Sequence, residues 1–183
     1  EKPSAMTETA NVPAPDTAAP HATEPEPTDA EMSEQKAVRL GKRERLIATG
    51  AEAYPVELPI TDEIPAVRER FGNLDTDATT GVNVGLAGRV VHLRNTGKLC
   101  FAALQSGDGS RIQAMVSLAE VGEKSLAEWK ELVDLGDHLF VAGEVISSRR
   151  GELSVMAKEW KIAAKAIRPL PNLHSELSEE TRV

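Results

Sequence analysis

The sequence predicts an all-β core, a five-stranded Greek-key barrel with one helix between its third and fourth strands, preceded by N-terminal helices and a disordered tail. Three observations lead there. The stretch Gly97 to Val116 holds two short apolar runs joined by a Gly/Asp/Ser turn, a hairpin signature. Val82 to Arg94 is long for one strand and contains Gly85 and Gly88, which suits the bent first strand of a small closed barrel. Two alternating runs, His138–Ser147 and Glu152–Ala163, come after a helical stretch, so the order is three strands, one helix, two strands.

The chain begins with a segment of different texture. Residues 1–32 are rich in Pro, Ala, Thr and Glu and hold few large apolar side chains, so ordering them would cost more entropy than burial returns. They read as a disordered leader, and His21 has no companion ligands there. Residues 33–80 read as a helical segment. Ser33 is placed to cap a helix over Glu34–Thr49, with Gly50 closing it and Gly41 weakening its interior by about 1 kcal/mol relative to Ala. Its cations Lys36, Arg39, Lys42, Arg43 and Arg45 form either a solvated face or a phosphate-contacting helix. An extended connector follows from Ala53 to Pro59, and Thr61 or Asp62 can cap a short helix with Pro65 in its first turn and Gly72 after it.

The barrel itself is expected over 81–167. After the hairpin, Ser125-Leu-Ala-Glu is a capping-box pattern that starts a short helix with Leu126, Trp129 and Leu132 on one side. Trp129 reads as a core plug. Ser147-Ser-Arg-Arg-Gly is a hairpin tip, and Arg168-Pro-Leu-Pro opens an extended segment over 168–183.

Charge and cysteine content narrow the function. The net charge of −8 looks wrong for a nucleic-acid binder, but residues 1–32 carry seven acids against one base, whereas residues 80–167 carry eleven bases against ten acids. The single cysteine, Cys100, excludes an internal disulfide or a cysteine-based metal site and sits in an apolar run that suits a buried thiol. No run is long and apolar enough to span a bilayer and no signal peptide is visible, so no membrane role and a cytoplasmic location are expected. His92, His138 and His174 have no nearby nucleophile or metal-ligand spacing, so no catalytic residue and no metal site is assigned.

Alternation supplies a candidate site. If Cys100, Ala102 and Leu104 face the core together with Ile112, Ala114 and Val116, then Phe101 and Gln113 point outward on one surface. A flat ring beside an amide and an arginine can stack on an unpaired base and read its edge. The bland alternatives are a sheet-filling Phe101, solvated Gln113 and Arg111, and a surface ion pair between Glu152 and Arg150.

The strand order matches the OB-fold. From about Gln35 to Val183 the chain closely resembles the N-terminal anticodon-binding domain of class II lysyl-tRNA synthetases, the lysine–tRNA ligases. The carrying residues are Leu86-Ala-Gly-Arg-Val, Gly97-Lys-Leu-Cys-Phe, Arg111-Ile-Gln, Asp134-Leu-Gly-Asp, Arg150-Gly-Glu-Leu-Ser-Val and Arg168-Pro-Leu-Pro. The resemblance implies recognition of the tRNA for lysine through the central uridine of its anticodon. It implies that Phe101 stacks on a base, Gln113 reads a base edge, Arg94 contacts base or backbone, and Glu152 accepts from the uracil ring N–H, with Arg89 as a further candidate. It also implies that the full-length enzyme binds lysine, ATP and magnesium in a catalytic domain and forms a homodimer. The signature motifs of that domain are not found, so this chain is expected to need no cofactor, to be inactive alone, and to end in a linker toward a missing catalytic domain. A sequence-tolerant single-strand binder would need a broader cationic groove and more aromatics. A protein-interaction barrel would bury Phe101 and Gln113 against another element.

Overall fold

The computed structural model describes residues 29–170. The readings placed on 1–28 and 171–183, including those for His21 and His174, lie outside the described residues. The described chain runs α1 (Asp29–Ala48), α2 (Ile64–Phe71), β1 (Thr79–Asn95), β2 (Leu99–Gln105), β3 (Arg111–Ser117), α3 (Leu118–Leu132), β4 (His138–Ser147) and β5 (Leu153–Ala164). The strands close into a barrel in the order β1-β2-β3-β5-β4. Only the β3–β5 pairing is parallel.

Period-two alternation puts Leu86, Val90, Cys100, Ala102, Leu104, Ile112, Ala114, Val116, Leu139, Val141, Val145 and Val155 in the buried core, joined by Leu126, Trp129 and Leu132 of α3. Trp129 is fully buried, its ring edge-on to Trp160 at 5.2 Å and its indole N–H donating to Asn95 Oδ1 at 3.2 Å. Gly143 of β4 lies where a Cβ would stand 1.9 Å from the Met156 carbonyl oxygen, so no side chain fits at that crossing.

Three local expectations need correction. α1 starts at Asp29 among the described residues, not at Glu34, so Ser33 lies within the helix and 29–32 belong to α1 rather than to the leader. Ala30 and Met32 favour helix as readily as the residues after them, and a mid-helix serine is only mildly unfavourable. Thr61 and Asp62 do not cap α2, whose N-cap is Glu63 without a side-chain bond. Their backbone N–H groups donate to the Gly85 carbonyl and the Thr61 hydroxyl accepts the Gly85 N–H, so they fasten the connector to β1 instead. The helical stretch after β3 begins at Leu118, capped by the Ser117 hydroxyl, and is broken at Gly122, whose φ of 80° suits glycine. The Ser125 hydroxyl accepts the Trp160 indole N–H at 2.9 Å.

A buried ionic cluster fastens α1 and the end of β5 to the α3–β4 connection. Lys165, with its side chain fully buried, donates to Asp137 Oδ2 and Asp134 Oδ2, both at 2.7 Å, and to the Leu132 carbonyl at 2.6 Å. Asp137 also accepts the backbone N–H groups of Asp134 and Ala166. From α1, Lys42 reaches Asp134 at 2.5 Å and Arg39 donates to the carbonyls of Leu135 and Ala166. Every acceptor in the cluster is served, which is the condition for keeping charge inside a protein.

Removing one partner strands the other. Lys165→Met is expected to lower unfolding stability by about 3–5 kcal/mol in urea titrations; wild-type stability in this variant would refute the assignment. Burial pushes the Asp134 carboxyl upward, but hydrogen bonds and charge from Lys165 and Lys42 outweigh it and hold it below its ordinary value of 3.8. A carboxylate lowered in the folded state stabilises above its unfolded pKa and loses that contribution as pH falls through the folded one. Wild-type stability should therefore fall more steeply than that of Asp134→Asn between about pH 5 and pH 2. Parallel profiles would remove this carboxylate from the acid response.

Candidate nucleic-acid interface

The outward face of β1, β2, β3 and β5 is a grid set by strand register. Across one row stand Arg94, Phe101, Met115 and Met156, each opposite the next. The neighbouring row holds His92, Ala103, Gln113 and Ser154. A third holds Arg89, Gln105 and Arg111. The inward set predicted from alternation is buried, and Phe101 and Gln113 stand half-buried on the opposite side of their strands.

The Arg94 guanidinium lies 4.6 Å over the centroid of the Phe101 ring, a cation–π contact. The ring is therefore covered by an arginine rather than bare. Met115, 8 % exposed, and the half-buried Met156 continue an apolar band beyond the ring. Alternation places Met115 on this face, but its alignment with Met156 depends on the β3–β5 register. Ala103, between His92 and Gln113, contributes little bulk, so the face stays low beside the amide.

Gln113 is tied at its inner end: the Ser154 hydroxyl lies 3.1 Å from Gln113 Oε1. Ser154 is fully buried; its one signal in the sequence is a serine two residues after Glu152. Glu152 precedes β5, which starts at Leu153, and is exposed. Its backbone is fixed through Ser148, whose N–H donates to its carbonyl and whose hydroxyl accepts its N–H. Among the described residues its carboxylate makes no ion pair with Arg150, so the alternative of a surface pair between them is not realised.

The remaining cations divide between the face and the fold. Arg111 donates to Gln105 Oε1 at 3.1 Å, and Arg68 of α2 donates to the Arg111 carbonyl. Arg89 stands at the far end of the face, donating to the Gly136 carbonyl at 3.3 Å, away from the Arg94 row. There, burial and the Arg89 charge lower the pKa of His138 against the opposing pull of Asp137. On α1, Arg39 and Lys42 belong to the buried cluster, Arg45 pairs with Glu131 and Arg43 lies over the Tyr54 ring. These cations hold α1 against the α3 end of the barrel, which settles most of them as structural. Among the described residues no group of three or more His, Cys, Asp or Glu is placed to hold a metal, and no helix is long and apolar enough to cross a membrane.

Residues 84–163 match the tRNA anticodon family, described as an OB-fold nucleic acid binding domain. Among curated proteins, the chain is 56% identical over 161 residues to the lysine–tRNA ligase of Mycolicibacterium gilvum, covering 88% of this chain and 32% of that protein. It is 59% identical over 153 residues to the lysine–tRNA ligase of Kineococcus radiotolerans, covering 84% of this chain and 31% of that one. A third relative, the lysylphosphatidylglycerol biosynthesis bifunctional protein of Nocardia farcinica, is 36% identical over 151 residues, covering 82% of this chain and 13% of its own length. The chain thus spans about a third of the length of the ligases it matches. With a closed five-stranded barrel, α3 between β3 and β4, and these identities across its length, the chain belongs to the anticodon-binding OB-fold family of lysyl-tRNA synthetases.

Proposed function

We propose that this chain binds the anticodon loop of the tRNA for lysine and reads its central uridine, as the recognition domain of a lysine–tRNA ligase. The observation that carries the reading is the Phe101 ring and the anchored Gln113 amide at neighbouring outward positions of adjacent strands, beside the cations Arg94 and Arg111. An unstacked base has a flat face for the ring and a polar edge for the amide. The exposed Glu152 carboxylate, held at the β4–β5 turn two residues before Ser154, supplies an acceptor for the uracil ring N–H.

Arg94 now occupies the stacking position. A cation–π contact at an exposed site is worth about 0.5–1 kcal/mol, against about 1–3 kcal/mol for a base on an aromatic ring. The base therefore wins the ring and the guanidinium moves outward to the phosphate backbone. Arg89, at the far end of the grid, serves the backbone rather than the central base.

Charging with lysine, ATP and magnesium belongs, in this proposal, to the rest of the ligases' length, as does the homodimer of a cytoplasmic enzyme. In this reading the chain alone is inactive in charging. The weaker identity to the lysylphosphatidylglycerol protein, 36% against 56% and 59%, favours the ligase as the parent.

Titration of anticodon stem-loops tests the reading. Loops with uridine at the central position should bind more tightly than loops with cytidine there. Phe101→Ala should cost about 1–3 kcal/mol on both, while Gln113→Ala should cost a similar amount on the uridine loop and narrow the gap between the two. Equal affinity for both loops in the wild type would defeat the proposal. Arg94→Ala should make the salt dependence shallower by about one phosphate contact; an unchanged slope would take Arg94 off the backbone.

A further inference from the structure

Among the described residues, Ser154 is the one fully buried polar side chain that touches the outward face. It lies opposite Gln113 in the parallel β3–β5 ladder, and its hydroxyl has two oxygens within reach, Gln113 Oε1 at 3.1 Å and the Glu152 carbonyl at 2.9 Å. A serine hydroxyl carries one proton, so it serves one of them at a time. Given to Gln113, the proton leaves the Ser154 and Glu152 oxygens facing each other with nothing between. Given to the Glu152 carbonyl, it lets the Gln113 amide turn half a revolution and donate its NH2 to Ser154 Oγ, and every polar atom is then served. Amide oxygen and nitrogen are nearly the same size, so the turn needs no repacking.

We infer that Ser154 is a positioning residue that anchors the inner end of the Gln113 amide and thereby fixes the group Gln113 offers to a base. This rests on the anticodon reading above. In the fully served arrangement the outward group is the carbonyl, an acceptor that shares the single ring N–H of uracil with the Glu152 carboxylate and meets only a lone pair at the corresponding nitrogen of cytosine. Without the anchor the glutamine offers either end, and it must give up side-chain freedom on binding.

The experiment measures dissociation constants of the full 183-residue chain for stem-loops with uridine or cytidine at the central position. The variants are Ser154→Ala, Ser154→Thr, Ser154→Val, Gln113→Ala and the Ser154→Ala/Gln113→Ala double, with urea midpoints to confirm folding. Ser154→Ala should weaken the uridine loop about three- to tenfold, the size of one neutral hydrogen bond, and leave the cytidine loop nearly unchanged. In the Gln113→Ala background it should add nothing. Thr and Val have the same shape at this site, so Thr should keep the wild-type ratio of the two loops and Val should behave as Ala does. Wild-type discrimination in the Val variant, or a full additional loss in the double variant, would overturn the inference. If Gln113→Ala weakens the uridine loop while Ser154→Ala does not, this inference alone fails. If Gln113→Ala changes nothing, the anticodon reading of Gln113 falls and this inference with it.

Discussion

The parallel pairing of β3 with β5 is the constraint on which the rest depends. Five strands joined mostly by hairpin-like connections leave two edges, and the barrel closes only when the last strand meets the third. The pairing spans Gln113 with Ser154 through Val116 with Ala157. It carries the inward positions of β5 into the core and its outward positions onto the face of β2 and β3. One residue of slip would place Leu153 or Val155 beside Gln113 and turn Ser154 inward.

Charge follows the same logic of place over total. A chain with a formal charge of −8 nonetheless gathers Arg89, Arg94 and Arg111 on one face. Cations that look alike in sequence have different employment. Arg39 and Lys42 stabilise the attachment of α1, whereas Arg94 rests on an aromatic ring from which a stronger ligand can displace it. Nothing in the local pattern of α1 separates these roles, because the acceptors lie on the α3–β4 connection and after β5.

The barrel is legible because its strands alternate over most of their length and its turns carry glycine, so spans such as His138–Ser147 agree with the structure to the residue. Phe101 and Gln113 could be placed outward for the same reason. What stayed hidden depends on contact between distant segments. The Arg94 cover on Phe101, the Met115–Met156 band and the Ser154 anchor all follow from register between strands, which periodicity within one strand does not contain. Helix starts depart from the local pattern where a capping residue has a competing partner, as with Thr61 at Gly85 and Ser125 at Trp160. The buried Lys165 reads in sequence as an ordinary strand-end lysine; only the meeting of Asp134 and Asp137 with it shows otherwise.

Cys100 lies fully inside the barrel on β2, with burial raising its thiol pKa against the opposing charge of Lys130. As the only sulfhydryl in the sequence, it makes the molecule a clock for its own opening. A thiol reagent reaches it only when β2 parts from its neighbours, so the rate of modification counts excursions of the cylinder itself while fraying of α1 goes unrecorded. A bound loop bridging β1, β2 and β3 would slow that clock, which makes ligand occupancy readable without a label on either partner.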